Sequence, residues 1–304
     1  MRPPSPTPLP PAAALVERTV AWFGENRRDL PWRAPDRTAW GVLVSEVMLQ
    51  QTPVVRVAPV WTSWMQRWPT PRALADASTA DVLRAWGRLG YPRRALRLQE
   101  CARAVAERHA GVVPDDEDAL RALPGIGAYT AAAVVAFAYG GRSVVLDTNV
   151  RRVVARVIGG HALPAPTQTA AEVRRAAALV PASAPQAAAW AAASMELGAV
   201  VCTARSPRCA RCPVADLCAW RAAGYPGDVH ADRRRAQGWA GTDRQVRGRV
   251  MGLLRAAAGP VPLATFTTDG DDAAQLRRCV DGLVADGLVQ RVGPDDDVSL
   301  QLPA

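Results

Sequence analysis

Apolar positions recur every three to four residues along most of the chain, the spacing of helices with one buried face. Residues 12–26 (AAALVERTVAWFGEN) read as an amphipathic helix, and 38–51 (TAWGVLVSEVMLQQ) as a largely buried one ending before Pro53. Between them Asp29 to Pro35 (DLPWRAP) is a loop broken by two prolines. Shorter helical stretches, punctuated by Pro and Gly, are predicted at 54–67, 71–77, 79–87, 92–110 and 116–122. Residues 128–139 (AYTAAAVVAFAY) are small and apolar on every face, which predicts a deeply buried helix. Helical patterns continue at 147–158, 168–180 and 185–200, and no alternating strand pattern precedes residue 225. The expected fold class is an all-α core.

The pattern changes after 218. Residues 221–243 (RAAGYPGDVHADRRRAQGWAGTD) read as an exposed basic linker. Helices at 244–257 and 271–285, with strand-like pieces near 288–292 and 298–302, suggest a small winged-helix-like module at 244–304. That module is acidic after 268, with Asp295, Asp296 and Asp297 in a row. Residues 1–11 are Pro-rich with no apolar stretch, and are expected to be a disordered tail rather than a signal peptide. The expected division is therefore tail 1–11, helical domain 12–220, linker 221–243 and C-terminal domain 244–304. No apolar run of about 18 residues is present, so no membrane span is expected. A cytoplasmic, nucleoid-associated protein is expected, where clustered cysteines mean metal rather than disulfides.

Composition sharpens this in two ways. The net charge of +9 favours a polyanionic partner such as nucleic acid. All 37 basic side chains are arginine, so no lysine amine is available to form a Schiff base.

Four motifs carry chemistry. Cys202, Cys209, Cys212 and Cys218 are spaced C-x6-C-x2-C-x5-C. Four thiolates in a short loop hold either a 4Fe–4S cluster or a zinc ion. The presence of a single C-x2-C pair favours the cluster. Cys101 and Cys279 lie at helical positions and read as small core residues. In Leu123-Pro-Gly-Ile-Gly127-Ala-Tyr129-Thr130 a turn with two glycines enters a buried helix, a geometry that suits phosphate. An ordinary helix–turn–helix connection has the same look. Asp147, in LDTNVRR, stands where an N-cap stands, and Asn149 is a second capping type. Glu46 lies in the apolar run WGVLVSEVMLQQT; buried, its carboxyl would be raised toward a general acid, and exposed, it would mark a solvated face.

Together and in this order, the motifs resemble the helix–hairpin–helix DNA glycosylase superfamily that includes endonuclease III. Within it the sequence is similar to the adenine DNA glycosylase (MutY) family. SEVMLQQT at 45–52, LPGIGAYTAAA at 123–133, LDTNVRRV at 146–153, MELGA at 195–199 and the cysteine loop carry the resemblance. It implies the helix–hairpin–helix glycosylase fold, a 4Fe–4S cluster on the four cysteines and duplex DNA with mispaired adenine as partner, bound by a monomer. Where the endonuclease III branch has a nucleophilic lysine, this chain has Tyr129, which implies base excision without strand cutting.

The resemblance assigns Glu46 as proton donor to adenine and Asp147 as the carboxylate that stabilises the sugar cation, with Tyr129 and Asn149 supporting them. It places Trp32, Arg33 and Glu196 at the extruded adenine. Gln51, Thr52 and Tyr91 are placed near the partner base. The amides of Gly125 and Gly127, with Arg205, Arg208 and Arg211, are placed at the backbone. Thr148 departs from the Gly common in the family. Residues 225–304 are too short for the Nudix-like domain of many members, which leaves both 8-oxoguanine and guanine as partner bases. The rivals are a thymine/uracil mismatch glycosylase of the same superfamily and a non-catalytic iron–sulfur DNA-binding protein.

Overall fold

The computed structural model describes residues 12–233, 241–267, 272–294 and 298–304. The tail 1–11, positions 234–240 of the expected linker and the Asp295–Asp297 run lie outside the described residues. The helices in chain order are α1 (Ala12–Asn26), α2 (Ala39–Leu49), α3 (Val54–Arg67), α4 (Pro71–Ala75), α5 (Thr79–Trp86), α6 (Arg93–Arg108) and α7 (Glu117–Arg121). They continue with α8 (Ala128–Tyr139), α9 (Thr148–Val157), α10 (Ala170–Ala177), α11 (Ala184–Val200), α12 (Ala219–Ala222), α13 (Asp243–Ala256) and α14 (Ala273–Ala285). Three short strands, β1 (Val261–Pro262), β2 (Gln290–Val292) and β3 (Ser299–Gln301), close the chain.

The helices expected from the apolar pattern are present, with ends moved by no more than three residues. Caps set several of these ends. The hydroxyls of Thr70, Ser78 and Thr169 accept the N–H of Ala73, Asp81 and Glu172, fixing the starts of α4, α5 and α10. Neither β1, two residues long with a proline, nor the single turn of α12 carries a periodic signal, and neither was expected.

The described residues form two compact units. Of the described residues, the first takes those up to Val42, Asp115–Arg121 and those from Ile126 to Arg233; the second takes Leu43–Pro114, Ala122–Gly125 and those from Gly241 onward. In the first unit α11 packs against α1, α8 and α9. Its core gathers Leu15, Val150, Val153, Val154, Trp190 and Leu197. Beside it, Ala132, Ala133, Ala136, Val145 and Ala191 make a layer of small side chains. Gly198 brings α11 against α9 so tightly that a Cβ there would lie 2.7 Å from both the Cβ and the carbonyl oxygen of Asn149.

In the second unit α6 packs on α4 and α5, around Trp64, which meets Trp68 and Trp86 edge-to-face at 4.9 and 5.6 Å. Each such pair adds about 0.5–1.5 kcal/mol beyond the area it buries. The C-terminal segment belongs to this unit. Its sheet, in the order β1-β3-β2, is antiparallel throughout, with Leu300 opposite both Val261 and Arg291. Phe266, Val250, Val280, Leu283 and Leu300 form its buried centre. Helix α13 packs on α5, and Arg84 donates to the carbonyl of Ala257 at 3.5 Å. Asp286, at the end of α14, pairs with Arg93 of α6 at 3.2 Å and with Arg247 of α13. Among the described residues no helix is long and apolar enough to cross a membrane.

Candidate active site

Asp147 is the N-cap of α9, as its position in the sequence allows. One carboxylate oxygen accepts the backbone N–H of Asn149 at 2.9 Å and of Val150 at 2.7 Å. The other accepts the Asn149 side-chain amide at 2.6 Å. The direction of that amide is fixed from behind. Arg152, which only donates, gives an N–H to the Asn149 carbonyl oxygen at 2.8 Å, so the NH2 must face Asp147. Burial raises the Asp147 carboxyl above its ordinary range, and the N–H groups of Val150 and Asn149 pull it back. Capping and chemistry are therefore not competing readings here: the bonds that start the helix also surround a half-buried anion with donors.

Glu196, on α11, is fully buried and accepts four hydrogen bonds. Arg28 supplies its backbone N–H (3.0 Å), Nε (2.7 Å) and Nη2 (2.8 Å), and Arg33 supplies Nη2 (3.0 Å). Against the effect of burial, these partners hold the carboxyl down at about 2. Each oxygen already accepts two bonds, so a base contacting Glu196 must displace an arginine or share an oxygen with it. Trp32 is buried on the turn Pro31–Arg33, next to Arg33 in the chain. Tyr129 stands half-buried on the first turn of α8, against the alanine layer. Sequence reasoning missed Arg28, which carries no motif and meets Glu196 across 168 residues.

In the second unit Glu46 is buried on α2, 4% exposed, among Leu43, Val44, Val47 and Met48. The solvated-face alternative is thereby removed. Gln51 and Tyr91 are both exposed and both left-handed, with φ of 56° and 46°, a conformation non-glycine residues rarely adopt. Arg94, also missed from sequence, braces the two turns that hold them. It donates to the carbonyls of Val47, Met48 and Gln50, to Thr52 Oγ1, and to the carbonyls of Leu89 and Gly90. Its guanidinium also lies over the rings of Trp86 and Tyr91. Thr52, buried, donates to Leu89 O at 3.0 Å and closes the same network.

The turn before α8 is built as the glycines suggest. Gly125 has φ of +76°, and a Cβ there would meet Arg97 Cβ at 2.8 Å. Gly127 is the N-cap of α8 and brings no side chain to the first-turn N–H groups, which puts backbone rather than a capping side chain at the helix start.

The four loop cysteines form no disulfide and line one cavity with Arg156, Leu197 and Trp220. Among the described residues no three His, Cys, Asp or Glu groups converge as a single metal ion requires. A 4Fe–4S cube takes one thiolate on each of its four irons, which suits four cysteines lining a single cavity. Burial pushes the Cys212 thiol up to about 11, so a thiolate there needs the positive charge that iron supplies. The loop is held by Arg156, which is 2% exposed. It donates to Cys202 Sγ (3.3 Å) and to the carbonyls of Ala162 (2.8 Å), Thr203 (2.7 Å) and Ala204 (3.0 Å), and lies 4.5 Å over Trp220. One helical turn earlier, Arg152 donates to Cys202 O at 2.6 Å and Gly198 O at 2.6 Å. Arg205, Arg208 and Arg211 stand exposed on the loop surface.

Comparison with known proteins agrees with these features. Residues 44–178 match the model of the HhH-GPD superfamily base excision DNA repair protein, and 202–218 that of the iron-sulfur binding domain of endonuclease III. The chain is 52% identical over 291 residues to the adenine DNA glycosylase of Mycobacterium tuberculosis, covering 95% of this chain and 94% of that protein. It is 54% identical over 275 residues to that of Mycolicibacterium smegmatis, covering 90% and 91%. Among solved structures, a thermostable thymine-DNA glycosylase superposes with a TM-score of 0.61 at 25% identity, over 70% of this chain and 97% of that one.

Proposed function

The chain belongs to the adenine DNA glycosylase family, and from that premise we propose that it hydrolyses the N-glycosidic bond of adenine mispaired with 8-oxoguanine or guanine, leaving the strand uncut. The observation that carries this reading is the Asp147–Asn149 pair, a carboxylate surrounded by three N–H donors in a chain with no lysine to attack the sugar.

The base leaves the stack so that its sugar bond becomes reachable. Glu46 gives a proton to N7 of adenine, which converts the base into a neutral leaving group. Glu196 is no rival for that role, because two arginines hold it ionised far below neutral pH. As the bond to C1′ breaks, positive charge grows on the sugar, and the ionised Asp147 stabilises it until water adds there. Asn149 keeps Asp147 aimed, and Tyr129 supports the carboxylates. Trp32 and Arg33 hold the extruded adenine, with Glu196 fixing Arg33. Gln51, Thr52 and Tyr91 face the partner base. Gly125, Gly127, Arg205, Arg208 and Arg211 grip the phosphate backbone. The 4Fe–4S cluster on Cys202, Cys209, Cys212 and Cys218 supplies a covalent cross-link that shapes the loop; the hydrolysis moves no electrons. The enzyme acts as a monomer on nucleoid DNA.

The test is single-turnover base release from 8-oxoguanine·A, G·A, G·T and G·U duplexes. Adenine release with strand scission only after alkali supports the reading. Release of thymine or uracil without adenine overturns it. Glu46→Gln is expected to bind duplex and release no base, and full activity of that variant reassigns the acid.

A further inference from the structure

The C-terminal segment presents arginines to a surface shared with the Tyr91 turn. Arg244, at the start of α13, lies 5.4 Å over the ring of Tyr91, on which Arg94 also stacks at 5.7 Å. Arg255, at the end of the same helix, is eleven residues on. At 100° per residue that is three turns and about 20°, so the two arginines share one face. Between them on that face stand Gly248 and Gly252, both exposed, with nothing within 4 Å of a Cβ at either position. Each costs a helix about 1 kcal/mol relative to alanine, and no packing at either position calls for a glycine.

The charge at the far end of this face is not neutralised from within. Among the described residues no carboxylate pairs with Arg255 or with Arg88 of the neighbouring turn. Burial and the Arg88 charge together push the Arg255 guanidinium below its ordinary value, the effect of cations held close without a counter-ion. The placement is rigid, because Asp286 ties α13 and α14 to Arg93, and Arg84 ties the end of α13 to α5.

We propose that this face of α13, with Arg244, Arg255 and Arg88 around a bare glycine strip, is a second binding site for the phosphate backbone of duplex DNA. It would extend the grip of the Tyr91 turn along the strand. Guanidinium forks match phosphate oxygens, and a strip without side chains lets the backbone approach closely. The C-terminal segment thus supplies affinity for duplex as such. The inference rests on the chain being a DNA-binding glycosylase and not on which base it removes.

The test uses the full-length, cluster-loaded protein and a perfectly paired duplex, so that binding is read apart from excision. Fluorescence anisotropy gives the association constant at several salt concentrations for wild type, Arg244→Ala/Arg255→Ala and Arg244→Lys/Arg255→Lys. The alanine pair is expected to flatten log K against log salt by about 1.8, roughly 0.9 for each phosphate that is no longer neutralised, and the lysine pair to keep most of the slope. Gly252→Glu is the second variant. It adds a carboxylate in open space with no packing disturbed, and is expected to weaken binding at low salt more than at high salt. Unchanged slope in the alanine pair together with unchanged affinity in Gly252→Glu overturns the proposal. Equal loss in the alanine and lysine pairs also overturns it, by assigning the arginines to packing.

Discussion

Replacing Asn149 with alanine tests the electrostatics of Asp147. The substitution removes the 2.6 Å amide bond to the carboxylate, and with it the acceptor for Arg152 at 2.8 Å, but leaves the backbone N–H groups of Asn149 and Val150 in place, so the cap of α9 survives. A hydrogen bond to a charged group contributes about 1.5–3 kcal/mol, which at 1.36 kcal/mol per unit moves a carboxyl by about 1–2 units. Burial already raises Asp147, and the loss of a donor raises it further. The reaction needs the ionised form, so activity falls as pH drops through this value. The acid limb of the single-turnover rate, measured between pH 5 and 8.5, is therefore expected to move up by about 1–2 units in Asn149→Ala. Stability follows the opposite sign. A carboxyl raised in the folded state contributes stability below its ordinary value of 3.8 and loses it as pH rises through the folded value. The variant's stability deficit should therefore be largest at neutral pH and shrink on acidification. An acid limb that stays put while the plateau rate falls would show that Asn149 acts on something other than Asp147.

Three further substitutions probe the braces of the site. Arg28→Ala removes two side-chain bonds to buried Glu196 but leaves the backbone N–H and Arg33. Since the Arg28 side chain is 37% exposed, the loss is about 2 kcal/mol rather than that of a fully buried pair. The Glu196 contribution is present above its ordinary 4.5 and lost only as pH falls toward about 2, so urea unfolding at pH 7 should show the whole deficit. Gly198→Ala drives a methyl into the Asn149 backbone and should lower stability by about 1–3 kcal/mol while slowing base release; a variant with wild-type melting and rate contradicts the close approach of α11 and α9. Arg94→Met strips the donors from the turns carrying Gln51 and Tyr91. Hydrogen exchange should quicken at 47–52 and 86–91 ahead of the rest of the unit, and uniform exchange would contradict the bracing role.

The helices were legible because their stripes are periodic, and the cysteine loop because four ligands must lie close in sequence to share one cluster. Asp147 was legible twice over, since capping obliges a short acceptor side chain at the residue where α9 begins. Glu46 was ambiguous only until its burial was known: an apolar helix with one carboxylate has the same period whether that carboxylate faces protein or water. The bracing arginines were illegible for a different reason. Arg28 reaches across 168 residues to Glu196, and Arg94 reaches back 44 to Gln50. Long side chains choose such partners through tertiary structure, and no local spacing announces them. Arg152 and Arg156 were missed as well, although a local signal was present. They lie four apart on the valine face of α9, where a charged pair is out of place unless something buried receives it.

That last pair gives the absence of lysine a structural side as well as a compositional one. Arg156 spreads three nitrogens over the Cys202 sulfur, the Thr203 and Ala204 carbonyls of the cysteine loop and the Ala162 carbonyl after α9, and its flat face rests on Trp220. An ammonium has the same charge but one point of attachment, and cannot span this arc. Arg156→Lys would therefore leave one or both of the part-buried Thr203 and Ala204 carbonyls of the cysteine loop without its donor, at about 0.5–1.5 kcal/mol each, with the net charge unchanged. The loop should open first. Iron–sulfur absorbance is expected to bleach at lower temperature than in wild type, before the helical signal is lost. The Arg152 contact to Cys202 O then carries the disturbance to Asn149 and Asp147, so the base-release rate should fall in step with the bleaching. If Arg156→Lys keeps its cluster and its rate to the wild-type melting temperature, the fork geometry is dispensable and charge alone holds the loop.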